Sequence, residues 1–279
     1  MRTPFLLVFW LMATTLNAQH LPAYTLHAKD GSAVTFGDVL AAAREADLIF
    51  FGEHHNNPIH HWLQLELVKA LADDPLTRLV VGMEMFEADQ QILLDEYAAG
   101  HISRNSFESE ARIWTNYKTD YRPIVEFAKG AGVPVVATNI PRRYASMVYS
   151  KGLASLDGLS DEAKAWIAPL PIEVDLTLPG YAEISKAAGG HGGANLPTSQ
   201  AVKDATMAHF TLRNLLPGSR FLHLNGAYHT DNGEGIIWYV KRQRGDLRIL
   251  TITAQEGEAP EFTKADFTIV TPAGFTKTH

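Results

Sequence analysis

Four short apolar runs set the fold class of this chain. They are Leu48-Ile49-Phe50-Phe51, Leu79-Val80-Val81, Val133-Pro134-Val135-Val136 and Phe221-Leu222-His223-Leu224. Each ends in a turn and leads into a helical pattern, which reads as buried parallel strands joined by crossover helices. The expected fold is therefore α/β, with a mostly parallel sheet flanked by helices. The helices are legible in detail. Asn57 is placed to cap a helix that has Pro58 at its first position. From there Ile59, Trp62, Leu63, Leu65, Leu67, Val68 and Leu71 recur at roughly helical spacing and form an apolar face. Residues 123–129, 141–151 and 198–216 read as further helices, with Gly130 and Gly152 closing the first two. Two stretches break the alternation. Residues 88–116 read as two extra helices. Residues 153–197, rich in proline and glycine, read either as a surface connection or as a lid over a cleft, because long loops inside compact domains are often functional.

In a parallel α/β sheet the C-terminal strand ends meet at one edge, and ligands bind there. Glu53, His54 and His55 follow the first run, Glu84 the second, Asn139 the third and His229 the fourth. Two of these corners share a pattern: Gly52-Glu53-His54-His55 and Gly226-Ala227-Tyr228-His229 both run glycine, two residues, histidine. Glycine at such corners accepts positive φ and lets a ligand approach the backbone. Any one of the polar residues could merely cap a helix or pair with Arg142 or Arg143. Together they would be costly to bury without a task. Histidine with carboxylate suits Mn, Fe, Zn or similar ions and equally suits general acid–base hydrolysis. His55, Glu84 and His229 are thus candidate metal ligands, and Glu53, His55, Glu84 and His229 candidate catalytic groups. Glu84 sits among Met83, Met85 and Phe86, a setting that raises a lone carboxylate's pKa or demands a partner. Of His60 and His61, one is expected to face solvent. Trp114, Tyr117, Tyr121 and Phe127 read first as core.

Charge and composition remove other classes. Lys+Arg number 24 and Asp+Glu 31, a formal net charge of -7, which argues against a nucleic-acid partner. Cysteine is absent, which excludes disulfides, thiolate nucleophiles, Cys-ligated zinc and lipoprotein acylation. There is no Gly-x-Ser-x-Gly elbow, and neither a phosphate loop nor a dinucleotide fingerprint. Residues 1–18 carry Arg2, then an apolar run too short to span a bilayer, then Leu16-Asn17-Ala18 before Gln19. That pattern predicts a signal peptide over 1–18, a single domain over 19–279, and an exported protein, periplasmic or secreted.

The motifs, taken in order, resemble the ChaN family of haem-binding uptake proteins. The resemblance lies in Gly52-Glu53-His54-His55-Asn56, Gly82-Met83-Glu84-Met85-Phe86 with Gln90-Gln91, and Trp114 with Tyr121-Arg122-Pro123. It continues in Pro134-Val135-Val136-Ala137-Thr138-Asn139-Ile140-Pro141-Arg142, Gln200 with Asp204-Ala205-Thr206-Met207-Ala208, and Gly226-Ala227-Tyr228-His229. It spans residues from about 47 to 239. The resemblance implies a large sheet with a smaller helical subdomain, acting in iron acquisition. It also implies haem in a pocket formed at a homodimer and tyrosine ligation of the iron, and it makes an outer-membrane haem receptor a partner. Tyr121 is the first choice of ligand and Tyr228 the second, with His54, Asn139 and Arg142 as further cofactor contacts. The wider superfamily is similar around two Gly-x-x-His motifs and includes metal-dependent proteases and antibiotic esterases. In that setting Glu53, His55, Glu84 and His229 would bind a divalent metal or catalyse hydrolysis.

Overall fold

The structure, a computed structural model, describes residues 21–187 and 195–278. The expected signal peptide over 1–18, and His191 with its neighbouring glycines, lie outside the described residues. The strands are β1 (Thr25–Ala28), β2 (Ala33–Val34), β3 (Leu48–Glu53), β4 (Arg78–Glu87), β5 (Val135–Asn139), β6 (Ser219–Gly226), β7 (Ile249–Glu256) and β8 (Phe267–Thr271). The helices are α1 (Phe36–Glu45), α2 (Pro58–Ala72), α3 (Gln91–Ala98), α4 (Arg104–Glu110), α5 (Arg122–Ala131), α6 (Arg142–Lys151), α7 (Asp161–Lys164), α8 (Pro179–Ala187), α9 (Leu196–Asn214) and α10 (Ile236–Gln243). One eight-stranded sheet runs in the order β2-β1-β8-β7-β3-β6-β4-β5. From β8 to β5 every pairing is parallel, and β1 joins β8 and β2 antiparallel.

Strands β3, β4 and β6 are buried on both faces, as unbroken apolar runs require. Successive side chains point to opposite faces. Ile49 and Phe51 therefore pack with Leu222 and Leu224 against α1, α2 and α5. Leu48, Phe50 and Phe221 pack on the other side with α6, α9 and α10. The cap at Asn57 is present: its side chain accepts the Ile59 N–H at 3.0 Å, with Pro58 at the first helical position. The third run begins as a strand only at Val135. Val133 is spent closing α5, donating its N–H to the Ala128 carbonyl at 2.8 Å, and Pro134 has no N–H to give a ladder. That helix ends at Gly132, with φ 68°, rather than at Gly130. Residues 88–116 hold α3 and α4, and residues 153–197 hold α7 and α8.

The insertion of β6 between β3 and β4 positions the site. It pairs Glu53 with Gly226 in register, so the two Gly-x-x-His corners stand side by side at one edge.

Candidate functional site

Both corner glycines are required by contact rather than by backbone angle. Neither is among the residues with positive φ. A Cβ on Gly52 would lie 2.7 Å from the Ala227 Cα, and one on Gly226 would lie 2.8 Å from His55 Nε2. Two strands and a histidine ring meet here too closely for any side chain.

Glu53 ends β3 inside the protein, 2% exposed. A buried carboxylate needs several donors, and Glu53 has four. Oε1 accepts from Tyr121 Oη at 2.6 Å and faces His55 Nδ1 at 2.8 Å. Oε2 accepts from Gln64 Nε2 at 2.6 Å and faces His61 Nδ1 at 3.2 Å. Burial alone would push this carboxyl up; His61 and then His55 override it and hold it at about 2. Burial likewise lowers the His55 imidazole, but the Glu53 hydrogen bond and the Glu84 and Glu53 charges leave it above its ordinary value. With Nδ1 tied to Glu53, His55 keeps Nε2 toward Gly226 and the cavity.

The second corner is built on His229, which is also buried. Its Nδ1 meets Asp204 Oδ1 at 2.5 Å and its Nε2 faces Glu84 Oε1 at 3.3 Å. Glu84 Oε2 accepts the Gly226 N–H at 2.8 Å, and Asp204 Oδ2 accepts from Tyr181 Oη at 2.6 Å. Burial would lower the His229 imidazole; Glu84 and Asp204 override it and push it up to about 10. Burial would raise Glu84, and His229 holds it well below the usual carboxylate range. The partner that the apolar setting of Glu84 demands is therefore a charged imidazole and a backbone N–H.

Both ring nitrogens of His229 face carboxylates, Nδ1 toward Asp204 and Nε2 toward Glu84. Among the described residues no group of three or more His, Asp or Glu side chains is arranged to hold a metal ion, which leaves the divalent metal expected at His55, Glu84 and His229 without support.

The other expected residues sort as follows. Glu53, His54, His55, Glu84, Asn139, Arg142, Tyr228 and His229 all line one cavity of about 1420 Å3 at the sheet edge. Asn139 donates to the Glu84 carbonyl at 3.1 Å. Its Oδ1, like that of Asn116 on the same cavity, is buried without a hydrogen-bond partner among the described residues. Tyr121 is not on the cavity wall. It is 0% exposed, packs edge-on against Trp114 and His61, and spends its hydroxyl on Glu53. Tyr228 is 38% exposed and stands on the wall. His60 and His61 are both buried, against the expectation that one faces solvent. His60 Nδ1 accepts the His54 N–H at 3.1 Å, and His61 is held between Glu53 and Asp120.

Sequence reasoning gave no site role to Gln64 or Asp120, named Asp204 only within a family motif, and expected one of His60 and His61 to face solvent. Two of them left a signal. Gln64 lies on the buried α2 stripe with His60, Leu67, Val68 and Leu71, and Asp204 on the buried α9 stripe with Ala201, Ala205 and Ala208. A polar residue on an apolar stripe must meet a partner across it.

An open, mostly parallel α/β sheet with a wide cavity at its C-terminal edge defines a ligand-pocket protein of the α/β class. The chain belongs to the ChaN family of haem-binding uptake proteins in the Tiki superfamily, whose family model matches residues 39–240. Its fold is similar to that of ChaN from Campylobacter jejuni, a structure described as binding haem cofacially. The identity is 19%, the TM-score 0.68, and the match covers 90% of this chain and 97% of that one. A Bacillus cereus protein is similar at 11% identity and a TM-score of 0.50, over 81% of this chain and 70% of that one. At such identities the likeness concerns the fold alone. None of the curated proteins matches the chain.

Proposed function

We propose that this chain is an exported haem-binding protein of haem and iron acquisition, with haem held in the sheet-edge cavity and Tyr228 as its iron ligand. Tyr228 carries the reading. Of the two candidate tyrosines it is the one on the cavity wall, and its hydroxyl has no hydrogen-bond partner among the described residues. The residues around it fit the group. Ile113, Trp114, Ile140 and Leu196 give apolar surface along the same cavity. Burial, then Asp204, Glu234 and Glu183, push the Tyr228 phenol up, so it stays neutral until a cation arrives beside it. Bound haem would supply that cation as ferric iron, for which a phenolate is a suitable hard anionic ligand. The described part of residues 153–187 we read as a cover for the cavity, since Gly180 and Glu183 of α8 line it. A periplasmic or secreted location, a homodimer and an outer-membrane haem receptor as partner complete the reading; the family's place in haem uptake supports them. Titrating the purified protein with hemin should give a shifted Soret band whose amplitude saturates at a stoichiometric ratio. An unshifted spectrum at micromolar haem would sink the proposal.

One observation favours a second reading. His55 is an imidazole oriented by a buried carboxylate at 2.8 Å, with its other nitrogen toward the cavity, the arrangement of a general base that activates water. On this reading the protein hydrolyses an ester or peptide. Turnover of any member of an ester and peptide panel, abolished in His55→Ala, supports it. A panel with no turnover removes it.

A further inference from the structure

The end of the sheet opposite the cavity presents a different surface. There the turns into β4 and β6 lie side by side, since Arg78 at the start of β4 pairs with Ser219 at the start of β6. Each turn holds a leucine out in solvent. Leu76, after Pro75, is 90% exposed, and Leu216, before Pro217, is 49% exposed. One exposed leucine needs no explanation. Two on neighbouring turns of paired strands, the first almost wholly in water, call for a partner.

Both turns are built to hold their shape. Arg220 of β6 is 3% exposed and donates to the Ala46 carbonyl at 3.2 Å, to Asp74 Oδ2 at 3.1 Å and to the Arg44 carbonyl. Asp74 Oδ1 in turn accepts the Leu76 N–H at 3.0 Å. The Leu216 carbonyl accepts from Ser219 Oγ at 2.7 Å. The charges on this end are unevenly spent. Asp74 is taken by Arg220, Asp47 by Arg248 at 2.7 Å and Asp246 by Arg244 at 2.7 Å, and Glu45 lies 3.8 Å from Arg248. Asp73 is the carboxylate of these turns left without a partner among the described residues. Against it stand Arg44, Arg78 and Arg213, all exposed, with no side-chain salt bridge or hydrogen bond among the described residues. A chain of formal net charge -7 thus carries a local basic rim around two protruding leucines.

We infer that this end of the sheet docks on an anionic lipid surface, with Leu76 and Leu216 entering the acyl boundary and Arg44, Arg78 and Arg213 meeting headgroup phosphates. Apolar side chains ringed by basic ones give the two forces that hold a protein on such a surface, buried apolar area and attraction to anionic lipid. Guanidinium groups suit the phosphates, which they bind by paired hydrogen bonds. A protein partner fits less well: the core of such an interface is enriched in Trp, Tyr and Phe, and these turns carry no aromatic residue. The docking is independent of the haem reading. Since the cavity lies at the other end of the strands, a docked molecule keeps its mouth in water.

The test is co-sedimentation of the full chain with phosphatidylcholine vesicles made with and without phosphatidylglycerol. Wild type should bind the vesicles that contain phosphatidylglycerol, bind those without it far more weakly, and be released by high salt. Arg78→Gln with Arg213→Gln should weaken binding by about fivefold for each arginine removed, the effect of a basic residue beside an anionic surface. Leu76→Ser with Leu216→Ser should weaken it by about tenfold or more. All four positions lie on the surface, so urea midpoints should match wild type and exclude misfolding as the cause. Ile92→Ser and Lys118→Gln remove an exposed apolar residue and an exposed cation from other parts of the chain and should bind as wild type. The inference is overturned if wild type ignores phosphatidylglycerol, if the leucine and arginine variants bind like wild type, or if the two control variants lose as much. A wild type that ignores vesicles, but whose elution volume in size exclusion changes in the leucine variant, would make this end an interface between protein chains and equally overturn the lipid assignment.

Discussion

Asp204→Ala is expected to remove about 3–5 kcal/mol of folding stability at neutral pH, the cost of breaking a buried ion pair from one side. The reason is geometric. His229 is buried between Asp204 at 2.5 Å and Glu84 at 3.3 Å, and Tyr181 completes the Asp204 carboxylate. Alanine leaves an imidazolium with one distant partner and a buried phenol with none. Urea denaturation measures the loss as a lower midpoint at unchanged slope. The pH dependence separates this account from simple cavity formation. The His229 pKa is raised on folding to about 10, so its contribution is fully present below its ordinary value of 6.5 and is lost as pH rises through 10. The difference between wild type and Asp204→Ala should therefore be largest at neutral pH and below, and should shrink toward pH 10. A difference that does not change with pH would mean that His229 is not charged in the native protein.

Strands β3, β4, β5 and β6 could be read from the sequence because each is an apolar run bounded by turns, and their C-terminal corners followed from parallel topology. The other strands could not. β7 and β8 mix apolar residues with threonines, and they owe their strand character to pairing, β7 beside β3 and β8 between β7 and β1. That β6 lies between β3 and β4 was also hidden, and this is what sets Glu53 against Gly226 rather than two strands away. The site shows the same division. Glu53, His55, Glu84 and His229 announce themselves by following strands, whereas Asp204 and Gln64 show only as polar residues on apolar helical stripes. Asp120 has no such sign. Its carboxylate accepts from Asn116 at 2.6 Å and from Thr278 Oγ1 at 2.6 Å, and the path of the C-terminal segment across the Asn56 turn cannot be inferred from local pattern. Tyr121 marks the limit of motif reading. It stands in a strong motif because Glu53 needs its hydroxyl, which is a structural reason as good as a ligand role.

Tyr228→Phe and Tyr121→Phe should fail in opposite ways. Tyr228 is exposed on the cavity wall and makes no hydrogen bond within the described residues, so its phenylalanine variant should keep wild-type stability to within about 0.5 kcal/mol. On the proposed haem reading, the same change would remove the phenolate oxygen from the iron. Loss of even an outer partner of a metal ligand lowers metal affinity by about 10–100-fold, and loss of the ligand itself should cost hemin affinity at least that much. The spectrum of the residual complex should also lose its phenolate-to-iron charge-transfer absorption. Tyr121→Phe takes one of four donors from a buried carboxylate, which should cost about 1–3 kcal/mol in urea denaturation. Its hemin spectrum and affinity should stay as in wild type, because its ring is fully buried against Trp114 and His61 and is not on the cavity wall. The stability arm and the spectral arm thus exchange places between two residues of the same type. If Tyr121→Phe abolishes the spectrum while Tyr228→Phe leaves it intact, haem would have to break the Tyr121–Glu53 hydrogen bond on entry. Glu53 would then be left with His55, His61 and Gln64 as its donors, and the bound protein would have a different charge arrangement at this corner from the one described.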